Sequence, residues 1–252
     1  MFDLTGKVAL VTGGNGGIGL GFAEGLAEHG ADVCIWGTNE QKNAAAKETL
    51  AAYGGKVEAL HFDVGDEEAV TAAFAKTLEM FGHVDSCFAN AGVGGGGGPF
   101  DAMTLDEWHR VFRVNMDGVM FTFREAVKHM KQRGQGGSLV VTSSGTARFG
   151  AAGSEHYSAT KAGVIALIQS LAIGQARYGI RANAIVPGWI ETSMTERAFQ
   201  TEAFQTKVMK RIPARRWGQP EDFRAIAVYF ASDASAYHTG DTIAIDGGVS
   251  HF

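Results

Sequence analysis

The sequence predicts a doubly wound α/β fold, in which a parallel sheet of about seven strands carries helices on both faces. Short apolar runs rich in β-branched residues alternate with longer helical segments along almost the whole chain. Continuously apolar strands are typical of a parallel sheet covered on both faces, and alternation with helices indicates right-handed βαβ crossovers. No internal repeat and no linker divides the 252 residues, so we expect one domain over residues 1–252.

The alternation gives seven predicted strands and six predicted long helices. The strands are Val8–Val11, Val33–Trp36, Val57–Phe62, Val84–Phe88, Ser138–Thr142, Ala182–Val186 and Thr242–Ile245. The helices are Ile18–His29, Glu40–Ala52, Glu67–Phe81, Leu105–Gln132, Tyr157–Tyr178 and Pro220–Ala231. Five consecutive glycines, Gly94–Gly98, are expected to form a loop. The insertion at residues 190–217 has apolar residues at partly helical spacing, which fits a substrate lid or a surface helix packed on the core.

Composition and charge exclude several classes of protein. The 27 acidic and 22 basic residues give a net charge of -5, which argues against a nucleic-acid partner. Cys34 and Cys87 each lie inside an apolar run, so we expect buried thiols and no metal site. No apolar run is long enough to span a bilayer, and the N-terminus lacks the pattern of a signal peptide. These features predict a cytoplasmic protein without a membrane partner.

A glycine-rich segment follows the first predicted strand and opens the first predicted helix. A dinucleotide pyrophosphate needs bare backbone N–H groups and a helix N-terminus aimed at it. Glycine lets the main chain approach that closely, and the strand–loop–helix context is the one in which such a motif is meaningful. The sequence therefore predicts a dinucleotide site that includes Gly13, Asn15, Gly17, Ile18 and Gly19.

The end of the second predicted strand should contact the adenosine ribose of the dinucleotide. An acidic residue there favours a free 2′-hydroxyl, and a basic residue favours a 2′-phosphate. Thr38, the candidate at this position, is neither, and neither are its neighbours Gly37 and Asn39. The sequence therefore predicts NAD(H) or NADP(H) as cofactor and leaves the preference between them open.

A tyrosine and a lysine lie four residues apart, on one face of a predicted helix. A free tyrosine has a pKa near ~10, but a cation within a few Å favours its phenolate. Tyr157 beside Lys161 could then exchange a proton with an alcohol or carbonyl oxygen. Ser144 lies where the fifth predicted strand ends, which is the edge at which open α/β sheets bind ligands. Its hydroxyl could hydrogen-bond the substrate oxygen as charge develops there; its neighbour Ser143 is expected to be structural.

These motifs identify a resemblance to the short-chain dehydrogenase/reductase family, in its short single-domain form with a Tyr-x-x-x-Lys active site and a Rossmann fold. The resemblance covers about Leu4 to Gly248. Its motifs are Thr12-Gly13 with Gly17-Ile18-Gly19, Asp63-Val64, Asn90-Ala91-Gly92, Asn115, Ser144, Tyr157 with Lys161, Pro187-Gly188 with Thr192, and Asp246-Gly247-Gly248. The chain departs from the family pattern at Ala89, where Asn is common, and at Gly16, which is often basic in members that prefer NADP.

The resemblance implies a catalytic role for four residues. Tyr157 would be the acid/base, and Lys161 would lower its pKa and hold the nicotinamide ribose. Ser144 would position the substrate oxygen. Asn115 would anchor a water that relays protons to Lys161.

The resemblance also implies cofactor contacts and an assembly. Asp63 and Val64 would contact the adenine, Asn90 would steady the central sheet, and its loop with Gly92 would line the cofactor. Residues after the sixth strand would place the nicotinamide carboxamide; the candidates are Pro187, Gly188, Ile190 and Thr192. The family commonly forms homotetramers through the two long helices predicted at residues 105–132 and 157–178, with the C-terminus at another interface.

Three functions remain open at this stage. The leading one is a dehydrogenase or reductase that interconverts a secondary alcohol and a ketone on a small to medium hydroxy compound, for example a sugar acid or polyol. The alternatives are reduction of a 3-oxoacyl thioester and a cofactor-binding regulator without catalysis. Arg215 or Arg216 could bind a substrate carboxylate, although a surface role is expected. Phe149, Trp189 and Met194 fit either a substrate wall or the core, and His156 is expected to point away from the substrate.

Overall fold

A computed structural model of the chain describes residues 2–96 and 98–251. Three residues lie outside this description. Met1 and Phe252 belong to the predicted domain, and Gly97 belongs to the loop predicted at Gly94–Gly98. The described part of that loop, residues 94–96 and 98, has no regular secondary structure, as predicted.

Within the described residues, seven parallel strands form a single sheet. Their bounds are β1 (Val8–Thr12), β2 (Asp32–Gly37), β3 (Val57–His61), β4 (Ser86–Ala89), β5 (Gly137–Thr142), β6 (Ile180–Pro187) and β7 (Thr242–Ile245). The spatial order is β3-β2-β1-β4-β5-β6-β7. In the register of the three central strands, Val11 of β1 lies between Ile35 of β2 and Phe88 of β4. The order reverses between β1 and β4, which is the place where a doubly wound sheet opens a crevice for a ligand. The predicted fold class is confirmed.

Helices cover both faces of the sheet. Their bounds are α1 (Gly17–Glu28), α2 (Glu40–Ala51), α3 (Glu67–Phe81), α4 (Leu105–Phe112), α5 (Gly118–Arg133), α6 (Thr146–Phe149), α7 (Glu155–Gln175), α8 (Glu196–Phe199), α9 (Glu202–Met209) and α10 (Arg224–Ala231). On one face, Phe22 of α1 and Phe230 of α10 belong to the same buried cluster as Val11. On the other, Phe123 of α5 and Ile168 of α7 pack in a second cluster. The core thus consists of two apolar layers separated by the sheet.

One predicted helix is wrong as a single α-helix. The segment predicted at 105–132 consists of α4 and α5 joined by a π-helical turn, Arg113–Asp117. Asn115, inside this turn, is fully buried and exchanges two hydrogen bonds with the backbone of Val93. Those bonds stabilise the wider turn, and apolar periodicity carries no signal for them. Single π turns inside helices are frequent at functional sites.

Both cysteines are buried free thiols, as predicted. Burial raises the pKa of the Cys34 thiol to about 11 and raises that of Cys87 further. Both are therefore protonated near neutral pH and act as small apolar side chains. Within residues 2–96 and 98–251, no helix has the length and apolar character needed to cross a membrane.

Candidate active site

Asn90 connects three neighbouring strands at the carboxyl edge of the sheet. Its backbone N–H donates to Oγ1 of Thr12, and its side-chain amide donates to the carbonyl oxygens of Thr12 (3.2 Å) and Gly13 (3.3 Å). On the other side, the hydroxyl of Thr142 donates to Oδ1 of Asn90 over 3.0 Å. The ends of β1, β4 and β5 are thereby held together where the strand order reverses.

The glycine-rich turn between β1 and α1 lies directly beside Asn90. Gly17, where α1 begins, has a φ of 51°, a conformation that favours glycine. A Cβ on Gly19 would overlap the carbonyl oxygen of Gly13 and lie 2.5 Å from Nδ2 of Asn90. The glycines therefore leave their main chain free of side-chain cover at the first turn of α1, where backbone N–H groups lack partners within the helix and attract an anion. The glycines at 13, 17 and 19 lie where the sequence places a pyrophosphate.

Thr38, the candidate ribose residue, directly follows β2, and Asn15 of the glycine-rich turn reaches the same region. The Asn15 side chain donates to Oδ1 of Asn43 over 2.7 Å and packs against Gly37. The carbonyl oxygen of Thr38 accepts a hydrogen bond from Nε2 of His61, whose other ring nitrogen lies 3.2 Å from Glu40. Sequence reasoning missed His61, because it lies at the end of a different strand.

The candidate adenine residues follow β3. Asp63 forms an ion pair with Arg113 of the π turn over 2.8 Å and accepts a hydrogen bond from the N–H of Gly65. Val64 is buried against the start of α5, where a Cβ on Gly118 would lie 2.8 Å from its Cγ2. Arg113 was not a candidate in the sequence, because a charged residue in a helical segment is usually solvated.

Lys161 is buried beside the end of β5. Its ammonium donates to the carbonyl oxygen of Thr142 over 2.8 Å, and its Nζ lies 5.7 Å from the centre of the Tyr157 ring. Burial lowers the pKa of Lys161 to about 8. The hydroxyl of Ser143 donates to the carbonyl oxygen of Lys161 over 2.7 Å, so Ser143 has the structural position expected of it.

The pKa of Tyr157 differs from the expectation. Burial raises the pKa of the phenol above its ordinary value, and a hydrogen bond with Ser144 acts in the opposite direction. The sequence predicts a pKa lowered by Lys161; in this structure burial raises the pKa of Tyr157 instead, and the group that lowers it is Ser144. Ser144 also accepts hydrogen bonds from the N–H and the hydroxyl of Thr146, at 3.3 and 3.2 Å, which orient it at the start of α6.

Asn115 and Gly92 complete the arrangement around Lys161. Oδ1 of Asn115 accepts from the N–H of Val93 (2.8 Å), and its amide donates to the Val93 carbonyl (2.9 Å). A Cβ on Gly92 would lie 3.2 Å from Oδ1 of Asn115 and 3.5 Å from Nζ of Lys161. The structure therefore brings Asn115, Gly92 and Lys161 together, although 69 positions separate the last two.

The segment after β6 closes back on the glycine-rich turn. Gly188 donates to the carbonyl oxygen of Ile245 in β7, and Pro187 ends β6. Cγ2 of Thr192 would lie 3.0 Å from a Cβ on Gly17. The side chain of Ile190 is buried in the core instead, so any contact of this residue with a cofactor must come from its backbone.

The remaining candidate residues are exposed at the protein surface. Phe149, Trp189 and Met194 are exposed large apolar side chains rather than core residues. Arg216 forms a two-pronged ion pair with Asp222 at 2.6 Å, and Arg215 donates to the backbone of Lys210. These contacts favour the surface role expected of the two arginines.

The fold and the site together define a dinucleotide-binding α/β oxidoreductase, and comparison with known proteins agrees. A profile of the family described as enoyl-(acyl carrier protein) reductase matches residues 13–250. L-rhamnose 1-dehydrogenase (NAD(P)(+)) of Sphingomonas sp. (strain SKA58) is 38% identical over 250 residues, covering 98% of this chain and 97% of that protein. A 3-oxoacyl-(acyl-carrier-protein) reductase of Chlamydia pneumoniae is 37% identical over 98% of both chains.

A solved structure shows the same fold. Gluconate 5-dehydrogenase from Burkholderia cenocepacia J2315, in complex with NADP and tartrate, is 36% identical with a TM-score of 0.94, over 100% of this chain and 98% of that one. The chain belongs to the short-chain dehydrogenase/reductase family. It is an NAD(P)-dependent oxidoreductase with a small-molecule substrate.

Proposed function

We propose that this chain interconverts a secondary alcohol and a ketone on a small to medium hydroxy compound, such as a sugar acid or polyol, with Tyr157 as the acid/base. The observation that carries the proposal is the meeting of Tyr157, Ser144 and Lys161 at the end of β5. The names of the sugar and sugar-acid dehydrogenases among the relatives support this substrate class.

The residues present fit a nicotinamide dinucleotide. The cradle is the glycine-rich turn, where a Cβ at Gly19 would collide with the main chain and where α1 presents its N-terminus. When bound, NAD(P) accepts or supplies the hydride. The proposed contacts are Gly13, Asn15, Gly17, Ile18, Gly19, Thr38, Asp63, Val64, Asn90, Gly92, Tyr157, Lys161, Pro187, Gly188, Ile190 and Thr192. The preference between NAD and NADP stays open, because the end of β2 offers neither an acid nor an arginine.

Proton transfer is assigned to this chain's own side chains. In the reductive direction the phenol of Tyr157 donates a proton to the carbonyl oxygen, and in the oxidative direction the phenolate accepts one from the alcohol. Ser144 hydrogen-bonds the same oxygen and stabilises charge on it. Lys161, buried and positively charged at neutral pH, is assigned the stabilisation of the phenolate, and Asn115 is assigned the anchoring of a water that relays protons to Lys161.

Reduction of a 3-oxoacyl thioester is the second candidate. It is favoured by the 37% identity to a 3-oxoacyl-(acyl-carrier-protein) reductase and by 40% identity over 247 residues to an acetoacetyl-CoA reductase of Synechocystis. A cofactor-binding regulator is less well supported, because such a protein has no need to keep Asn115, Ser144, Tyr157 and Lys161 together.

The insertion at residues 190–217 is proposed to be the substrate lid of a single domain over residues 1–252. It contains the short helices α8 and α9 and lies beyond the carboxyl end of β6. A Cβ on Gly94 would lie 3.9 Å from Cγ of Met194, so the insertion reaches the loop after β4. An apolar segment at this edge suits a cover that excludes water from the reaction.

A homotetramer in the cytoplasm is the proposed assembly and location. The surface between α5 and α7 is lined by the apolar side chains of Phe123, Val127, Leu167 and Leu171 and by the basic side chains of Arg124, Lys128 and Lys131. Met120 of α5 and Ile173 of α7, the latter 84% exposed, add apolar area to these helices. An apolar surface of this kind marks an association site. The buried free thiols of Cys34 and Cys87 suit a reducing compartment.

A nicotinamide absorbance assay tests the proposed function. We expect turnover with NADH or NADPH on at least one member of a panel of ketones, sugar acids and 3-oxoacyl thioesters. Saturation by a thioester but not by the free ketone would select the second candidate. Absence of turnover across the panel, with cofactor binding intact, would contradict both and favour the regulator.

A further inference from the structure

Three side chains from two helices hold the loop that follows the candidate active-site residues Asn90–Gly92. Glu107 and Arg110 lie on α4, and His156 lies on α7 immediately before Tyr157. The loop, residues 94–96, is called the glycine loop below, and the three side chains are called the clamp. None of them was assigned a role by the motifs of the sequence.

The clamp binds one backbone N–H and one backbone carbonyl oxygen of the glycine loop. Oε1 of Glu107 accepts a hydrogen bond from the N–H of Gly96 over 2.9 Å. The guanidinium of Arg110 donates to the carbonyl oxygen of Gly94 over 2.8 Å. The same guanidinium donates two further hydrogen bonds to the carboxylate of Glu107, at 2.7 and 2.8 Å. A planar guanidinium fixes its partners in direction as well as in distance, so the two loop contacts act as one unit.

His156 connects this unit to the helix that carries Tyr157. Its ring is fully buried, and Nε2 lies 3.2 Å from Oε1 of Glu107. Hydrogen bonds from Arg110 and from the N–H of Gly96 hold the pKa of Glu107 well below its ordinary value. An ionised carboxylate only accepts, so Nε2 of His156 carries the proton and donates. Because His156 and Tyr157 are neighbours on α7, the clamp sets the loop position relative to the phenol.

The glycine loop touches the buried ring directly. A Cβ on Gly95 would lie 2.5 Å from Cε1 and 2.8 Å from Nε2 of His156. The ring has no room to move away, because it is fully buried and hydrogen-bonded to Glu107. Glycine at position 95 is therefore required by close approach. At Gly98, by contrast, a Cβ would enter open space with no atom within 4 Å, and the φ of this residue is not positive.

The other side of the glycine loop faces the insertion. Gly94 lies against Met194, and Val93, just before it, is fixed by the two hydrogen bonds of Asn115. The chain from 93 to 96 is thus anchored twice, once at Asn115 and once at the clamp, and it passes between the candidate catalytic residues and the proposed lid.

We propose that Glu107, Arg110 and His156 are positioning residues that hold the glycine loop as a fixed wall of the substrate site. The wall presents backbone rather than side chains, and its distance from the Tyr157 phenol determines how a substrate is oriented for proton transfer. This inference rests on the proposed function, because it assigns a role within that same site. It predicts effects on substrate KM and orientation, with cofactor binding unchanged.

A matched pair of glycine variants tests the wall. Gly95→Ala forces the loop away from His156, and we expect substrate KM to rise about tenfold or more, since a shift of order 1 Å in a substrate-orienting group has effects of this size. Gly98→Ala adds the same methyl group to open space and should leave KM within about twofold. Cofactor Kd should match the wild type in both variants. Equal KM values for the two variants would overturn the proposal.

Hydrogen exchange tests the clamp without a known substrate. Glu107→Gln keeps the shape of the side chain but removes its charge, so the amide of Gly96 should exchange about tenfold faster or more. Glu58→Gln is the control, because it breaks a 2.7 Å ion pair with Lys47 in a region remote from the loop. We expect no change at Gly96 in the control. Unchanged exchange in Glu107→Gln would refute the clamp even if the enzyme is fully active.

A double-mutant cycle distinguishes positioning from a general loss of structure. Glu107→Gln and Arg110→Gln should each raise substrate KM, and the double variant should be no worse than the poorer single variant, because both act on one loop. Additive effects would contradict the proposal. If no panel substrate turns over in the wild type, the proposed function fails, and the exchange experiment still decides the clamp.

Discussion

The ammonium of Lys161 donates a hydrogen bond to the carbonyl oxygen of Thr142 over 2.8 Å, which ties helix α7 to the last residue of strand β5. The hydroxyl of Ser143 returns a bond to the carbonyl oxygen of Lys161 over 2.7 Å. Two reciprocal hydrogen bonds thus fix the helix that carries Tyr157 against the strand that leads to Ser144. The relative position of the phenol and the serine hydroxyl follows from this pair, and the predictions below depend on it.

Replacement of Tyr157 by Phe should remove the acid/base and leave the fold intact. We expect kcat to fall by at least about 100-fold, the usual contribution of general acid–base catalysis. Cofactor Kd, measured by quenching of protein fluorescence, should stay within a few-fold of the wild type. Tyr53→Phe removes an exposed hydroxyl and provides the control. Turnover that survives in Tyr157→Phe would contradict the assigned role.

Replacement of Ser144 by Ala should shift the pH dependence of alcohol oxidation. The hydrogen bond from Ser144 lowers the pKa of Tyr157, whereas burial raises it. Loss of the hydrogen bond therefore raises that pKa further, and the alkaline rise in kcat/KM for oxidation should move to higher pH. Ser144→Thr keeps the hydroxyl and should restore the profile. A profile that does not move in Ser144→Ala would show that the serine does not act on the phenol.

Burial of Lys161 should give the free energy of unfolding a specific dependence on pH. The pKa of Lys161 is about 8 in the folded protein against an ordinary value of 10.5. Between these two pKa values the unfolded chain binds more protons than the folded protein, so the free energy of unfolding rises with pH. Below pH 8 Lys161 is protonated in both states, and its contribution to the free energy of unfolding does not change with pH. Urea unfolding at several pH values would measure the change.

Lys161→Met removes the group that titrates. Relative to this variant, the wild type should gain up to about 3 kcal/mol as the pH rises through the window above 8. A difference between the two proteins that is independent of pH would mean that the folded pKa is not lowered.

Replacement of Gly19 by Ala should weaken cofactor binding. The added methyl would overlap the carbonyl oxygen of Gly13 and press on the Asn90 amide, so the glycine-rich turn must shift. We expect cofactor Kd to rise by about tenfold or more, which corresponds to 1.4 kcal/mol. A Cβ on Gly16 has no atom within 4 Å, so Gly16→Ala should change Kd much less. Equal Kd values in the two variants, measured by titration calorimetry, would rule out this account of the turn.

Local signals in the sequence were sufficient for much of the fold and of the candidate site. The apolar strand runs and their alternation with helices predict the layers, because burial on both faces leaves no room for polar alternation. The spacing of Tyr157, Lys161 and Ser144 predicts the reacting edge, because a helix turn and a strand end have fixed geometry. The order of the strands and the π turn at Arg113–Asp117 are not encoded in any local period.

The contacts that the sequence did not predict share a physical cause. Glu107 and His156 are 49 positions apart, and Arg113 lies 50 positions from its partner Asp63. A charged residue in an amphipathic helix has the same local pattern whether it faces solvent or a loop from elsewhere in the chain. The raised pKa of Tyr157 has the same origin, because burial depends on which elements pack around the phenol.

The sequence by itself determined the fold class and the family, because these depend on periodicity and on motifs a few residues long. Only the tertiary structure decided the partners of Glu107, Arg113 and Lys161, the burial of His156 and the contact of Gly95 with its ring. Those features arise from long-range packing, where the approach of two elements fixes which polar groups lose water and which find a partner.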